Sequence, residues 1–373
     1  MQSLIDGITE TRIPVKPRER VLNTLTRKGT DRPPLFMNVT PQIGRRLVKA
    51  VGSDSEEPVD SFFSNRISFP GVLTRLGNDC VAVAATSIIG RPARVLEDGS
   101  RIDEWGIRSR SAGWYQEMVG HPLAGVETVK EIESIEFPDP VNPARFRWAE
   151  AMIRCYGSTH GIIGEQECTF FELSWYLVGL EKFLMDLAVG EAYVDVLMDR
   201  LADYSIRQGC RLIEMGVDVI WAGDDMGNQQ GMMISPDLWR RRIKPRLKKV
   251  FDAYRSVNPR IFIAYHSCGS IRPIMPDLIE IGLDILNPVQ PTAAGMDAHE
   301  LKSEFGRDLI FFGGIDVQHV LPRGTPADVR KHVRDRISVF GKGGGYIAAP
   351  AHNIQPDTPL ENIFAMVEAV QGI

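Results

Sequence analysis

The stretch Ile261-Phe262-Ile263-Ala264-Tyr265-His266-Ser267-Cys268-Gly269 is a short apolar run that ends in two potential ligands and a glycine. Its apolar part has the length of a β-strand and is apolar on both faces, as in parallel strands covered on both sides. The same pattern, an apolar segment with polar residues at its end and a helical stretch after it, recurs along the chain. We predict strands at 35–39, 80–85, 161–165, 217–223, 261–266, 284–288, 309–313 and 345–349.

This alternation of strands and helices predicts an α/β fold of the (β/α)8 TIM-barrel class. In that fold every strand's C-terminal end opens into one mouth, where catalytic residues are assembled. A doubly wound open sheet has the same alternation, but the number of strands and the spread of polar strand ends favour the barrel. The first helix, with Pro17 just inside it, is expected to form an N-terminal extension that caps the barrel bottom.

The chain is predicted to form one domain over residues 1–373, with residues 1–16 loosely ordered. Between residues 91 and 118, the dipeptide Asp98-Gly99 stands between two extended segments and favours a tight turn. We therefore predict a β-hairpin inserted after the second strand.

Charge and composition exclude several classes of protein. The 43 Lys and Arg residues against 48 Asp and Glu residues give a net charge of −5, without the basic surplus of nucleic-acid binders. The apolar runs are far shorter than the about 20 residues of a membrane span, and the start lacks signal-peptide features. The five cysteines form no closely spaced framework. We expect a cytoplasmic protein that binds small molecules.

His266 and Cys268 are the strongest candidates for metal binding. Two residues apart at a strand end, their side chains point to the same side, and imidazole and thiolate are donors that zinc prefers. His352, in the loop after the eighth strand, would add a second imidazole and leave one position for a carboxylate or water. The alternatives are a hydrogen-bonded core histidine, an inert cysteine and an ordinary loop histidine.

Several carboxylates follow other strands. Glu165 shares a strand face with Glu167, whereas Asp224 and Asp225 are adjacent and point opposite ways, so only one of them is expected to face the mouth. We assign Glu165 or Asp224 to the metal shell. The alternative for Asp224 and Asp225 is a helix cap or a partner for a nearby arginine. Asp225 and Asp316 are assigned to catalysis, in positioning the substrate or in proton transfer, and the roles of ligand and cap stay open for Asp316.

Two amide side chains follow the sixth strand. Asn287 and Gln290 are suited to hydrogen bonding with a substrate, and a structural role is equally open for both. We assign them to substrate binding.

The motifs together resemble those of the uroporphyrinogen decarboxylase superfamily. The resemblance runs from about residue 17 to the C-terminus and is carried by residues 17–22, 265–269, 286–290, 313–316 and 353–363. It implies a (β/α)8 barrel and one of two chemistries. The first is metal-free decarboxylation of uroporphyrinogen III, and the second is zinc-dependent methyl transfer between a corrinoid and a thiol or related acceptor.

The decarboxylases of that superfamily carry an Arg-Gln-Ala-Gly-Arg motif after the first strand. Here the corresponding residues are Pro41-Gln42-Ile43-Gly44-Arg45, so the first arginine is lost and only Arg45 remains, which we assign to substrate binding. Thr86 stands where the decarboxylases have an aspartate. Tyr176 and His352 match decarboxylase positions, and Tyr176 is assigned a catalytic role on that ground. Loss of a catalytic arginine weakens transition-state stabilisation, which makes decarboxylation the second choice.

The methyltransferases of that superfamily have His-x-Cys after the fifth strand and another cysteine after the eighth. His266 and Cys268 match the first two, and His352 takes the place of the third. The resemblance therefore implies a zinc-dependent methyltransferase with a methylcobamide (corrinoid) co-substrate. The chain has no Asp-x-His-x-x-Gly corrinoid motif, so a separate corrinoid carrier protein is expected, and a homodimer is expected from the decarboxylases. A non-catalytic small-molecule-binding barrel is the remaining alternative.

Overall fold

A computed structural model of the protein describes residues 15–59, 61, 64, 66–88 and 93–372. Most of the predicted loosely ordered N-terminus, residues 1–14, lies outside the described residues. The regular strands are β1 (Cys80–Ala84), β2 (Arg94–Val95), β3 (Arg101–Ile102), β4 (Arg108–Ala112), β5 (Tyr115–Gly120), β6 (Gly161–Glu167), β7 (Val219–Gly223), β8 (Phe262–His266), β9 (Ile285–Val289), β10 (Ile310–Ile315) and β11 (Tyr346–Pro350).

Seven of these strands form one curled parallel sheet in the order β1-β6-β7-β8-β9-β10-β11. Residues on its concave side, among them Phe36, Trp221 and Phe312, pack into an inner core, and the Phe36 and Phe312 rings lie 5.4 Å apart. Residues of the other strand face pack on the surrounding helices. The α/β fold with a parallel sheet is therefore confirmed, and both strand faces are buried as their composition predicts.

Helices follow most of the strands of this sheet. They are α1 (Pro17–Leu25), α2 (Pro41–Val51), α3 (Pro70–Arg75), α4 (Val129–Glu133), α5 (Arg147–Tyr156), α6 (Phe171–Val178), α7 (Leu180–Val189), α8 (Ala192–Glu214), α9 (Pro236–Arg242), α10 (Lys244–Val257), α11 (Met275–Glu280), α12 (Ala298–Phe305), α13 (Val320–Arg323), α14 (Pro326–Phe340) and α15 (Leu360–Gln371). None of the described helices combines the length and apolarity needed to cross a membrane.

The predicted first strand, residues 35–39, is not a regular strand. It makes two isolated parallel bridges, Leu35 with Ala348 and Val39 with Ile354. On its other side, the segment makes one backbone hydrogen bond, from the Asp79 amide to the Leu35 carbonyl, and side chains make the other contacts of a neighbouring strand. Asn78 accepts a hydrogen bond from the Met37 amide at 3.0 Å and donates one to the Met37 carbonyl. Because these groups satisfy the backbone, the ladder to β1 does not form.

The hairpin predicted around Asp98-Gly99 is present but is part of a larger insertion. Arg94 pairs with Ile102 across the turn, where Gly99 has a φ of +78°. Two further antiparallel strands, β4 and β5, extend it to a four-stranded sheet that ends at Gly120. The buried Trp105 ring packs 4.8 Å from Tyr204 and ties this sheet to α8.

Candidate metal centre

Three side chains from two distant parts of the chain meet at the C-terminal ends of β8 and β11. His266 is the last residue of β8, Cys268 lies two residues later, and His352 is the second residue after β11. Their donor atoms all lie within 4.8 Å of one another. His266 is buried, Cys268 is half-buried and His352 is exposed, so this trio is open to solvent on one side. The structure thus brings His266, Cys268 and His352 together, as expected from the sequence.

The strand register explains how a carboxylate and an imidazole face each other here. Glu167 is paired with Gly223, which in turn is paired with His266. Because Gly223 has no side chain, the space between its neighbours stays open, and a Cβ atom there would lie 2.7 Å from the His266 Cβ. The Glu167 Oε1 atom is 3.5 Å from the His266 Nε2 atom.

Asn287 sets the orientation of the His266 ring. Its Nδ2 donates to the Phe312 carbonyl at 3.3 Å, which leaves its Oδ1 to accept from the His266 Nδ1 at 2.6 Å. The proton is thereby held on Nδ1, and the lone pair of Nε2 points into the centre. An outer partner of this kind orients a metal-binding histidine and raises its basicity. Asn287, which we assigned to substrate binding, is placed as a positioning residue.

The loop that carries Cys268 is held at its backbone. The Cys268 amide donates to the Asp225 Oδ1 at 2.8 Å, and the Gly269 amide donates to the Gln290 Oε1 at 2.8 Å. Gly269 has a φ of +80°, and a Cβ atom there would lie 2.5 Å from the Gly227 carbonyl carbon. Only glycine fits this turn. Gln290, which we assigned to substrate binding, therefore supports this loop through its Oε1.

The carboxylates nearest the trio are Glu167 and Asp225. The Asp225 Oδ1 lies 3.6 Å from the His266 Nε2, nearly as close as Glu167. The two carboxylates assigned to the metal shell lie elsewhere. Asp224 is fully buried and caps α6, accepting from the Glu172 amide at 2.9 Å. Glu165 lies two residues below Glu167 on the inner face of β6, next to a guanidinium.

The remaining predicted site residues, Tyr176, Asp316 and Arg45, do not contact the trio directly. The Tyr176 hydroxyl donates to the Glu172 Oε1 at 3.0 Å, and the Glu172 Oε2 accepts from the Asp225 amide. Tyr176 is thus linked to the centre through two residues. The Asp316 carboxylate accepts from the Gln318 and His319 amides of its own turn. Arg45 is exposed on α2 and pairs with Glu57 at 3.6 Å, away from the centre.

Sequence reasoning missed Arg66, which is buried at the centre. Its Nη2 lies 3.4 Å from the His266 Nε2, and its guanidinium lies 5.3 Å from the centre of the Trp221 ring. It also forms ion pairs with Glu165 and Glu167. Arg66 lies in an irregular segment without periodicity. The only available signal was a lone cation in front of the apolar residues Ile67 and Phe69.

Burial and the local charges set the protonation of the trio. Burial, followed by the Asp225 carboxylate, raises the pKa of the Cys268 thiol well above its ordinary value. Burial, followed by the Arg66 charge, lowers the pKa of His266 well below its ordinary value. The pKa of His352 is lowered for the same reasons, although this residue keeps a solvent-exposed face. At neutral pH the thiol is therefore protonated, and both imidazoles are neutral.

The donor set fits zinc. Bonds of about 2.0–2.3 Å in a tetrahedral site separate the ligand atoms by about 3.3–3.8 Å. The His266 Nε2 is 3.4 Å from the Cys268 Sγ, and the Glu167 and Asp225 oxygens lie at 3.5 and 3.6 Å. Two imidazole nitrogens with one sulfur, open on one side, have the composition of a zinc site that keeps an exchangeable position.

Comparison with known proteins identifies the family. Residues 116–373 match the family model described as uroporphyrinogen decarboxylase (URO-D). This match spans more than half of the chain, so the chain belongs to the uroporphyrinogen decarboxylase family, and the resemblance seen in the sequence is confirmed.

Its relatives include enzymes of two kinds. A methylcobamide:CoM methyltransferase, MtaA, from Methanosarcina barkeri is 30% identical over 172 residues, which are 46% of this chain and 47% of the relative. A second, MtbA from Methanosarcina mazei, is 23% identical over 72% of this chain and 74% of its own length. A uroporphyrinogen decarboxylase from Thermus thermophilus is 28% identical over 49% of this chain and 50% of its own length. The chain spans about half the length of the first of these relatives.

A solved structure has the same fold. A methyltransferase from Methanosarcina mazei superposes with a TM-score of 0.72 at 21% identity, covering 96% of this chain and 98% of its own. At this identity the likeness supports the fold alone.

Proposed function

We propose that the protein is a methyltransferase-like enzyme. It would transfer a methyl group between a corrinoid, carried on a partner protein, and a small nucleophilic acceptor. The observation that carries this proposal is the convergence of His266, Cys268 and His352 within 4.8 Å. The methylcobamide:CoM methyltransferases among the relatives support the same reaction class.

His266, Cys268 and His352 would hold zinc, and the remaining position, next to the Glu167 and Asp225 carboxylates, would be open to the acceptor. When bound there, zinc supplies Lewis acidity that lowers the pKa of an acceptor and makes it nucleophilic at neutral pH. Asn287 and Gln290 keep the imidazole and the Cys268 loop in place for this role.

The residues around the trio would handle the acceptor's proton. The acceptor's lone pair forms the new bond to the methyl carbon, and the cobalt–carbon electron pair stays with the corrinoid. The acceptor's proton passes to Asp225, whose Oδ1 is 3.6 Å from the His266 Nε2 and whose outer side is partly exposed. Tyr176 and Glu172 support Asp225 from behind through its amide.

We also propose that the sheet is a complete eight-stranded barrel closed by residues 34–40. Hydrogen bonds join this segment to both edges of the sheet, from the Phe36 amide to the Ala348 carbonyl at 3.0 Å and from the Asp79 amide to the Leu35 carbonyl at 2.8 Å. The exposed side at His352 would then be the mouth at which a carrier protein presents the methyl-corrinoid.

Decarboxylation of uroporphyrinogen is the second candidate, because decarboxylases are among the relatives. Two observations disfavour it. Arg45, the arginine that remains of the decarboxylase motif, points to the surface, where it pairs with Glu57. Thr86, at the position of the decarboxylase aspartate, donates its hydroxyl to the Arg145 carbonyl at 3.2 Å.

Metal analysis and a direct transfer assay test the proposal. Protein purified without added zinc is expected to contain about one zinc per chain. Incubated without oxygen with methylcobalamin and a panel of small thiols, it is expected to convert the methylcobalamin spectrum to that of the demethylated cobalt(I) form. Metal-free protein that decarboxylates uroporphyrinogen would establish the second candidate. Protein with neither metal nor either activity would indicate a binding function.

A further inference from the structure

Arg66 contacts the one histidine nitrogen that a metal needs. Its Nη2 is 3.4 Å from the His266 Nε2, the same separation as between that nitrogen and the Cys268 Sγ. Because the Nδ1 proton is held by Asn287, Nε2 carries the lone pair and accepts from the guanidinium. A metal ion bound to that lone pair would have to displace this contact.

Burial, an aromatic ring and two carboxylates hold the guanidinium in this position. Arg66 is 7% exposed, lies on the face of the Trp221 ring and pairs with Glu165 and Glu167. Trp221 also stacks on the His266 ring, with ring centres 5.7 Å apart and an interplanar angle of 21°. The Trp221 indole therefore supports both the Arg66 guanidinium and the His266 ring.

We propose that Arg66 and the metal ion compete for the His266 lone pair, so that Arg66 sets the metal affinity of the centre. This inference rests on the proposed function. Without metal, Arg66 donates to the buried His266 Nε2 beside the Cys268 Sγ, and this contact helps to keep the ligand set assembled. With metal, Arg66 stays on the Glu165 and Glu167 carboxylates and places a fixed positive charge beside the ion.

The direction of the effect follows from charge. A guanidinium is protonated at any pH that a protein meets, so it repels a divalent cation placed near it. Its two carboxylate partners offset part of this repulsion but are themselves oriented by the arginine. Removal of the guanidinium is therefore expected to tighten metal binding. Removal of a residue that only positions the ligands would weaken it.

The test measures zinc affinity of the full chain by competition with a chromophoric chelator. Arg66→Gln is expected to bind zinc at least tenfold more tightly than the wild type, and Arg66→Lys, which retains the charge, within about threefold of it. Arg246→Gln is the control, since Arg246 is a largely buried, ion-paired arginine on α10. Its zinc affinity is expected to remain at the wild-type value.

Equal or weaker zinc binding by Arg66→Gln would overturn this inference alone, provided that the wild type binds zinc. Absence of zinc binding by the wild type would overturn the proposed function as well. A second measurement covers the case in which Arg66→Gln does not fold. In ¹⁵N spectra of the wild-type arginine side chains, the Arg66 signal, assigned with Arg66→Lys, is expected to shift on zinc addition. An unchanged Arg66 signal would contradict the competition.

Discussion

On the β8 side of the centre, His266 is enclosed and fixed, whereas on the β11 side His352 is exposed. The His266 ring is hydrogen-bonded by Asn287 and stacked on Trp221, and the neighbouring Cys268 loop is hydrogen-bonded at two consecutive amides. Among the described residues we find no hydrogen bond to the His352 imidazole. The difference indicates that the β8 side is preorganised for a ligand, whereas in the proposed zinc centre the metal would order the β11 side.

The largest expected effect comes from removing one imidazole from each side in turn. His266→Ala is expected to lower zinc affinity by more than about 100-fold. This loss exceeds the about 10–100-fold loss that follows when only the hydrogen-bond partner of a ligand is removed. His352→Ala is expected to lower it by about tenfold, because solvent reaches that position and water can replace the imidazole. Chelator competition measures both variants, with His299→Ala on α12 as the control. Equal losses of zinc affinity in the two variants would show that the β8 side is no more preorganised than the β11 side.

Loss of the outer hydrogen bond to His266 should have the next largest effect. Asn287→Leu removes the acceptor that holds the Nδ1 proton and is expected to lower zinc affinity by about 10–100-fold. Asn287→Asp keeps an acceptor at the same place and should stay within about threefold of the wild type. If the leucine and aspartate variants bind zinc alike, the Nδ1 contact does not orient the ring.

The open space beside His266 provides a smaller perturbation. In Gly223→Ala the new Cβ would lie 2.7 Å from the His266 Cβ, so the imidazole has to move. We expect a loss of about 1–3 kcal/mol in the free energy of unfolding and a several-fold weaker zinc affinity. Denaturant unfolding and chelator competition measure the two effects. Gly125→Ala, where a Cβ would meet no atom within 4 Å, should change neither.

Metal binding is expected to release about one proton near neutral pH. The pKa of Cys268 is raised, so its thiol is protonated and must lose a proton to bind metal, whereas both histidines have lowered pKa values and are already neutral. Zinc affinity should therefore rise about tenfold for each pH unit between pH 6 and 8. Calorimetry in buffers of different ionisation enthalpy counts the protons. A pH-independent affinity would mean that the thiolate is not a ligand.

The trio and most of the fold were predictable because their signals are local. A strand-sized apolar run positions His266 and Cys268 at its end, and the same reasoning positions His352 beyond β11. The strand at residues 35–39 was predicted as regular, but Asn78 takes over the backbone hydrogen bonds of Met37, and no periodicity reveals such a substitution.

The outer contacts of the centre were not predictable for a related reason. An asparagine or glutamine that binds substrate has the same side chain as one that orients a histidine. The sequence therefore could not show that Asn287 and Gln290 support the centre rather than contact a ligand. Asp224 and Asp225 point opposite ways, and only the position of α6 decides which one is used as its cap. Arg66 reaches the centre from an irregular segment, where its partners depend on tertiary packing.

X-ray absorption at the zinc edge reports the donors around the ion and so tests whether His266, Cys268 and His352 bind zinc. We expect about one zinc per chain, with one sulfur at about 2.3 Å and two imidazole nitrogens at about 2.0–2.1 Å. The sulfur contribution should disappear in Cys268→Ser and persist in Cys155→Ser, whose cysteine is exposed elsewhere. A shell made only of oxygen atoms, or protein without bound metal, would show that these three residues do not form a zinc site.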